Sequence, residues 1–246
     1  MGCLYASSVA TNAGHYRQRE GGIMKSVTVI IPAYNEELTI RRAVRSVLSQ
    51  GEQVSCVVVD DASTDKTAER ARQAGAVVIQ REKNAGVAEA INTALDAGID
   101  TDYIGVMGAD DWLELNGLGQ LVHRLTPNQF GFGVVRYWGA QNGFAIPNET
   151  PDFYAHNAGT MCVYHRQWVE RGMRYHTFDA GYGFEDWDWA LQLCDAGAEP
   201  VPVRDVLVYN YIYNPSVSLH GETMKREADF MREMKERHPK LKVVMA

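Results

Sequence analysis

Asp102-Tyr103-Ile104-Gly105-Val106-Met107-Gly108-Ala109-Asp110-Asp111-Trp112 joins an apolar segment to a pair of acids. Tyr103 to Met107 is an unbroken apolar run, the pattern of a central strand covered on both faces. Two small residues follow, then two adjacent carboxylates. A buried strand ending this way delivers negative charge to the carboxyl edge of a sheet, where open α/β folds bind ligands. Neighbouring carboxylates repel, so they persist in water or around a shared cation. Taken alone, the same residues equally describe an exposed, Asp-rich turn.

The flanking chain favours the first reading. Val27 to Ile31 is a β-branched run, predicted as the first parallel strand and ended by Pro32. Ala33-Tyr34-Asn35-Glu36-Glu37 makes its turn, and Ile40, Ala43, Val44, Val47 and Leu48 then recur at helical spacing as far as Gly51. A second unit has a strand at Cys56 to Val59, a turn at Asp60-Asp61-Ala62-Ser63-Thr64, and a helix from Asp65 to Ala74. Ser63 or Thr64 is its expected cap and Gly75 its end. Ala76 to Ile79 is a third strand, Asn84-Ala85-Gly86 a turn, and Ala88, Ile91 and Leu95 mark a helix ending at Gly98. After the Asp pair, Leu118, Leu121, Val122 and Leu125 mark another. This alternation specifies an α/β fold: a Rossmann-like, mostly parallel central sheet flanked by helices, with right-handed crossovers.

No Gly-x-Gly-x-x-Gly follows the first strand, so a dinucleotide dehydrogenase is disfavoured; close backbone approach to a pyrophosphate needs those glycines. The acidic Asn35-Glu36-Glu37 would repel a phosphate. A nucleotide here must therefore meet its phosphates elsewhere, with a cation in between. Past Pro127 the pattern changes. Gly133 to Trp138, Thr160 to Tyr164 and Val201 to Tyr209 read as strands of a smaller mixed sheet, with an irregular loop containing Pro147 and Pro151. In Gly181-Tyr182-Gly183-Phe184-Glu185-Asp186-Trp187-Asp188-Trp189, the helical spacing of Trp187, Ala190, Leu191 and Cys194 puts Glu185 and Asp186 at a helix N-terminus. Met224 to His238 is a charged helix with little apolar face, expected to be a surface tail.

The 246 residues are 46% hydrophobic and 22% charged, enough for one large α/β domain. A net charge of -7 offers no global field to nucleic acid or anionic lipid. Cys3, Cys56, Cys162 and Cys194 are scattered without metal-binding or disulfide spacing, which points to free thiols, a reducing compartment and a cytoplasmic location. No apolar run approaches the ~20 residues of a membrane helix. Residues 1–23 lack any periodic pattern and are expected to be a disordered extension. Met24 is an alternative start, and Ala6 stands where a myristoylation signal needs Ser or Thr.

Four motifs in order, Val27 to Glu37, Val57 to Asp65, Asn84-Ala85-Gly86 and Gly108 to Trp112, together resemble glycosyltransferase family 2, and Glu185-Asp186 extends the likeness. The resemblance implies the GT-A fold in one domain over 24–221. Residues 24–126 would form the nucleotide-binding half and 127–221 the acceptor half, with a helical tail at 222–246. It implies a nucleotide-diphosphate sugar donor, a UDP-sugar in the first instance, and a glycan, lipid-linked or other hydroxyl acceptor. Pro32, Ala33, Tyr34, Glu36, Asp61, Asn84, Gly86 and Asp110 would hold the nucleotide; an Asp accepts from a uracil N–H and a Tyr packs on the ring. Asp110 and Asp111, with His220, would hold Mn²⁺ or Mg²⁺, which neutralises the departing diphosphate. The common metal motif, Asp-x-Asp-Asp, has Gly108 at its first position here, which leaves open which Asp binds metal. Asp186, with Glu185 in reserve, would be the base of an inverting displacement. Gln192 stands where many members carry an Arg, so a phosphate contact is expected to be missing. Trp138, Trp187 and Trp189 suit either sugar stacking or core. Two rival readings are a sugar nucleotidyltransferase, which wants a glycine-rich basic loop after the first strand, and a non-catalytic nucleotide-sugar-binding module.

Overall fold

A computed structural model describes residues 25–139, 142–149, 151–153, 162–179, 181, 183–213 and 225–242. The expected N-terminal extension and His220 lie outside the described residues, as does the start of the strand expected at Thr160 to Tyr164. The chain runs β1 (Val27–Ala33), α1 (Ile40–Leu48), β2 (Val54–Asp60), α2 (Thr67–Ala74), β3 (Val77–Gln80), α3 (Val87–Asp96), β4 (Tyr103–Val106), β5 (Trp112–Leu113) and α4 (Gly117–His123). It continues through β6 (Gln129–Gly139), β7 (Gly143–Ala145), β8 (Val163–His165), α5 (Gln167–Glu170), α6 (Glu185–Asp195), β9 (Glu199–Tyr213) and α7 (Glu227–Arg237).

The strands form one sheet in the order β3-β2-β1-β4-β8-β6-β9-β5, with β7 on β6. β3, β2, β1 and β4 are parallel. β8 pairs antiparallel with both β4 and β6, and thereby joins the mixed region to the central sheet. Helices cover both faces. Ile40, Val44 and Val47 of α1 pack with Ala71 of α2 and Leu118 and Leu121 of α4 on one side. Ile91 of α3, Trp189 and Leu191 of α6 and Phe230 of α7 pack on the other. Each buried Val, Leu, Ile or Phe among them contributes about 1.5–3 kcal/mol by leaving water. No helix among the described residues is long and apolar enough to cross a membrane.

Several local expectations are corrected. Pro32 does not end the first strand: it stays in register opposite Val59. The Met107 amide donates to the Ile30 carbonyl, so the even residues of β1 aim their polar groups at β4. β4 stops at Val106, so no ladder bond is lost for want of a Pro32 N–H. Ser63 and Thr64 do not cap α2. They bind Asn35 across the edge, and Asp65 accepts from the Thr67 amide at 2.9 Å instead.

The C-terminal helix is also no surface tail. Phe230, Met231 and Met234 are buried, as are His238 and Leu241 beyond it. Phe230 completes an aromatic cluster with Phe178 (5.4 Å) and Phe184 (5.2 Å), partners that the tail's own periodicity does not reveal. Trp187 and Trp189 are buried in the core. Cys56 and Cys162 are buried free thiols, and Cys194 is a half-buried one.

Candidate active site

Because β1, β2 and β4 are parallel, their carboxyl ends and the loops after them meet at one edge. The loops are tied together. The Asn35 amide donates to Ser63 Oγ (2.9 Å), the Glu36 amide to Thr67 Oγ1 (2.7 Å), and the Thr64 amide to Asn35 Oδ1 (2.9 Å). Asn35 holds this clasp in a left-handed conformation (φ 56°), which Asn tolerates better than most residues. Pro32 is half-buried and Ala33 buried, whereas Tyr34 projects with 48% of its surface exposed. Glu36 is half-buried, and burial raises its carboxyl's pKa despite a hydrogen bond from Thr39, with Asp110 adding to the rise.

Asp61 is buried and accepts from the Ala85 amide (3.1 Å) and the Gly86 amide (2.7 Å). Gly86 has φ 92°, a conformation open to glycine, and so turns its N–H toward the carboxylate at the start of α3. Asn84, next in the same loop, is exposed. Arg81 Nε lies 3.3 Å from Asp61 Oδ1, while its Nη1 is buried without a partner among the described residues. A buried guanidinium nitrogen left open beside a carboxylate offers a donor and an acceptor to one planar, polar ligand. Arg81 was missed in the sequence; its place three residues before Asn84-Ala85-Gly86 was the available signal.

The Asp pair divides its work. Asp111 is buried; Tyr209 donates to its Oδ2, and the Ile212 amide donates to its Oδ1 at 2.7 Å. Both oxygens are thus tied to β9. Burial, reinforced by Asp110, pushes its carboxyl up to about 7. Asp110 remains half-buried at the edge, and burial raises its carboxyl too. Arg42 donates to the Asp110 carbonyl and rests 4.1 Å from the Trp112 ring; its charge opposes these rises without cancelling them. The pair is therefore short of positive charge, and a hard divalent cation suits it. Among the described residues there is no group of three or more metal-ligating side chains. The donor set fits an ion held by Asp110 and completed by ligand oxygens and water, the coordination Mg²⁺ and Mn²⁺ accept.

On the other side of the sheet's carboxyl edge, α6 begins after Phe184, which takes φ 64°. Glu185 folds back so that Oε1 accepts from the Gly183 amide (2.8 Å), and burial pushes its carboxyl up to about 7. Asp186 takes its neighbour Trp187's amide on Oδ1 (2.8 Å). Its side chain reaches solvent, yet protein crowds it enough that burial raises its carboxyl. Asp186 is thus an acid at once crowded by protein and open to solvent. Gln192 is engaged elsewhere, donating to Asp188 Oδ2 (2.6 Å) and the Arg174 carbonyl (3.2 Å).

Tyr211 connects the two acidic sites. Its phenol is raised first by burial and then by Asp111, Asp110 and Asp186 together. Tyr137, whose ring centroid lies 5.6 Å away, is raised by burial and then by Asp186. The Asp pair and Asp186 thus all bear on the phenol of Tyr211, and Asp186 on that of Tyr137 as well. Tyr137, Tyr209 and Tyr211 were not singled out in the sequence; period-2 spacing in two strands was the only signal. Trp138 is engaged by Arg136 (4.1 Å) and by Asn210, to which its Nε1 donates at 3.0 Å.

Residues 28–173 match the model of "Glycosyl transferase family 2". The chain is 47% identical over 62 residues to 4,4'-diaponeurosporenoate glycosyltransferase of Staphylococcus haemolyticus, covering 25% of this chain and 16% of that protein. It is 44% identical over 101 residues to the succinoglycan biosynthesis protein ExoU of Rhizobium meliloti, covering 39% and 29%. The chain thus spans less than a third of either relative. Among solved structures, the mannosyltransferase PcManGT of Pyrobaculum calidifontis, in complex with GDP-Man and Mn²⁺, superposes with a TM-score of 0.62 at 22% identity, over 85% of this chain and 62% of that one. TarS 1-349 of S. aureus, in complex with UDP-GlcNAc, gives 0.67 at 16% identity, over 89% and 68%. These likenesses show a shared fold.

Proposed function

The chain belongs to glycosyl transferase family 2, and from that premise we propose that it moves a sugar from a UDP-sugar to an acceptor hydroxyl, with inversion at the anomeric carbon. The observation that carries it is the attachment of Asp111 to β9 through Tyr209 and the Ile212 amide, which leaves Asp110 at the sheet's carboxyl edge beside the strand of Tyr211, a phenol raised by burial first and then by Asp111, Asp110 and Asp186. A single displacement needs this layout, with a cation site for the leaving diphosphate facing a base for the incoming hydroxyl.

The residues take separate roles. Tyr34, exposed at the turn, packs on the base. Pro32, Ala33 and Glu36 shape the turn, and Asp61 with Arg81 reads the polar edge of the base above Asn84 and Gly86. Asp110 holds a divalent cation, Mn²⁺ or Mg²⁺, while Asp111 is the strut that fixes Asp110 against β9. When bound, the cation supplies charge neutralisation to the diphosphate as the glycosidic bond breaks. Asp186 accepts the acceptor hydroxyl's proton, and its raised carboxyl makes it a better base than an ordinary Asp. Glu185, bound to the Gly183 amide, supports the loop. The donor is the soluble reactant; the acceptor is a glycan, lipid-linked or other hydroxyl.

The test is a panel of nucleotide sugars with and without Mn²⁺, read by melting temperature and by release of free nucleotide. One UDP-sugar is expected to raise the melting point only with the metal and to yield UDP slowly in the absence of acceptor. Pyrophosphate in place of UDP, or no response to any donor, refutes the proposal.

A further inference from the structure

The C-terminal helix meets α6 through a buried ionic knot. Asp188 is fully buried on α6. It accepts from Arg237 Nε (2.7 Å), His238 Nε2 (2.9 Å) and Gln192 Nε2 (2.6 Å). The second nitrogen of His238, Nδ1, lies 2.8 Å from Asp195 Oδ2. A carboxylate only accepts, so both ring nitrogens of His238 carry protons and the imidazole is cationic.

Such a knot is a poor way to gain stability, because desolvating the charges consumes most of what their attraction returns. What it supplies is geometry. Asp188 follows Asp186 by two residues, about 200° around the helix, so fixing one aims the other in the opposite direction. α7 also braces the turn before α6. Phe230 packs at 5.2 Å on Phe184, whose left-handed backbone is an uncommon conformation for a bulky residue. Glu233 meets His176 Nε2 at 2.5 Å and accepts from the Asp179 amide at 3.2 Å, in the approach to the same loop.

We propose that α7 is a clasp that positions Asp186, with Asp188, Arg237 and His238 as its positioning residues and Phe230 as the brace for the turn. This rests on the reading of Asp186 as the base. Among the described residues, the clasp's contacts given above run to α6 and to residues 176–184 rather than to the Asp110 edge or the Asp61 loop, so loosening it should spare donor binding and impair only the step Asp186 performs.

The test compares the full chain with His238→Gln and with the milder Asp195→Asn, which alters a residue one third exposed and keeps the Asp188 bond. Three quantities are read: kcat, donor KM, and hydrogen exchange of the amides over 184–189. The expected result for His238→Gln is a kcat loss of about tenfold or more with donor KM within about twofold, and for Asp195→Asn a smaller loss of the same form. Exchange over 184–189 should quicken in both, most in His238→Gln. Wild-type kcat in His238→Gln, or a loss shared equally by kcat and donor affinity, overturns the positioning role. Unchanged exchange overturns the clasp itself, whatever the activity. A wild type that transfers no sugar refutes the transferase reading, and exchange then still decides whether α7 holds the helix.

Discussion

Gly108→Ala probes the strut directly. A Cβ at this position would lie 2.6 Å from Asp111 Oδ2 and 3.1 Å from Asp110 Oδ1, where ordinary contact begins at 3.4 Å. The crowded oxygen is the one that Tyr209 holds. Asp111 is buried and its other oxygen is bound to the Ile212 amide, so the carboxylate must retreat by most of an ångström and loosen the Tyr209 bond. Bonds to a charged group are worth about 1.5–3 kcal/mol each, so the alanine should cost roughly 2–3 kcal/mol. At about 2–4 °C per kcal/mol for a chain of this size, the melting point should fall by roughly 5–10 °C. The assay is urea unfolding of Gly108→Ala, Tyr209→Phe and the double variant. Because the cost of alanine passes through the phenol, it should shrink to about 1 kcal/mol or less once Tyr209 is Phe. A Gly108→Ala variant within about 0.5 kcal/mol of wild type, or full additivity in the cycle, refutes the strut.

Three further outcomes follow from the same geometry. Asp186→Ala should lower kcat by about 10²–10⁴ while the metal-dependent melting shift with donor stays unchanged; transfer at the wild-type rate removes Asp186 as base. Glu185, with a folded pKa near 7 against 4.5 for the free side chain, favours the fold most below pH 4.5 and loses that contribution as pH rises toward 7. Glu185→Gln should therefore flatten the fall in stability across that window, by roughly 3 kcal/mol at most, and parallel curves for the two proteins would contradict it. Met234→Ala should cost about 2–5 kcal/mol by chemical denaturation, because Met234 is fully buried; a change under about 0.5 kcal/mol would return α7 to the surface.

Much of the architecture was legible in the chain. β-branched runs, acid-rich turns and helical spacings each carry local periodicity, and periodicity fixes which face of an element is buried. Hence the parallel units from Val27 to Val106 and the helix behind Glu185 stand where they were expected. Pro32 misled because a proline's cost depends on whether its missing N–H faces a neighbour, which is a property of the sheet and not of the residue. The role of α7 was hidden for a related reason. Its apolar residues are few, and its worth lies in Phe178, Phe184 and Asp188, which are distant in sequence.

Short-range pattern is enough to show that two adjacent acids follow a buried strand and that two more begin a helix. Asp110 and Asp111 become distinct only on folding, because the difference is made by Tyr209 and Ile212 arriving on β9 about a hundred residues later. Folding alone also gave Asp188 its partners, Arg237 and His238, from a helix about fifty residues later. Hydrogen-bond partners and burial are long-range properties of the folded chain, and they decide which of two identical side chains is free to do chemistry.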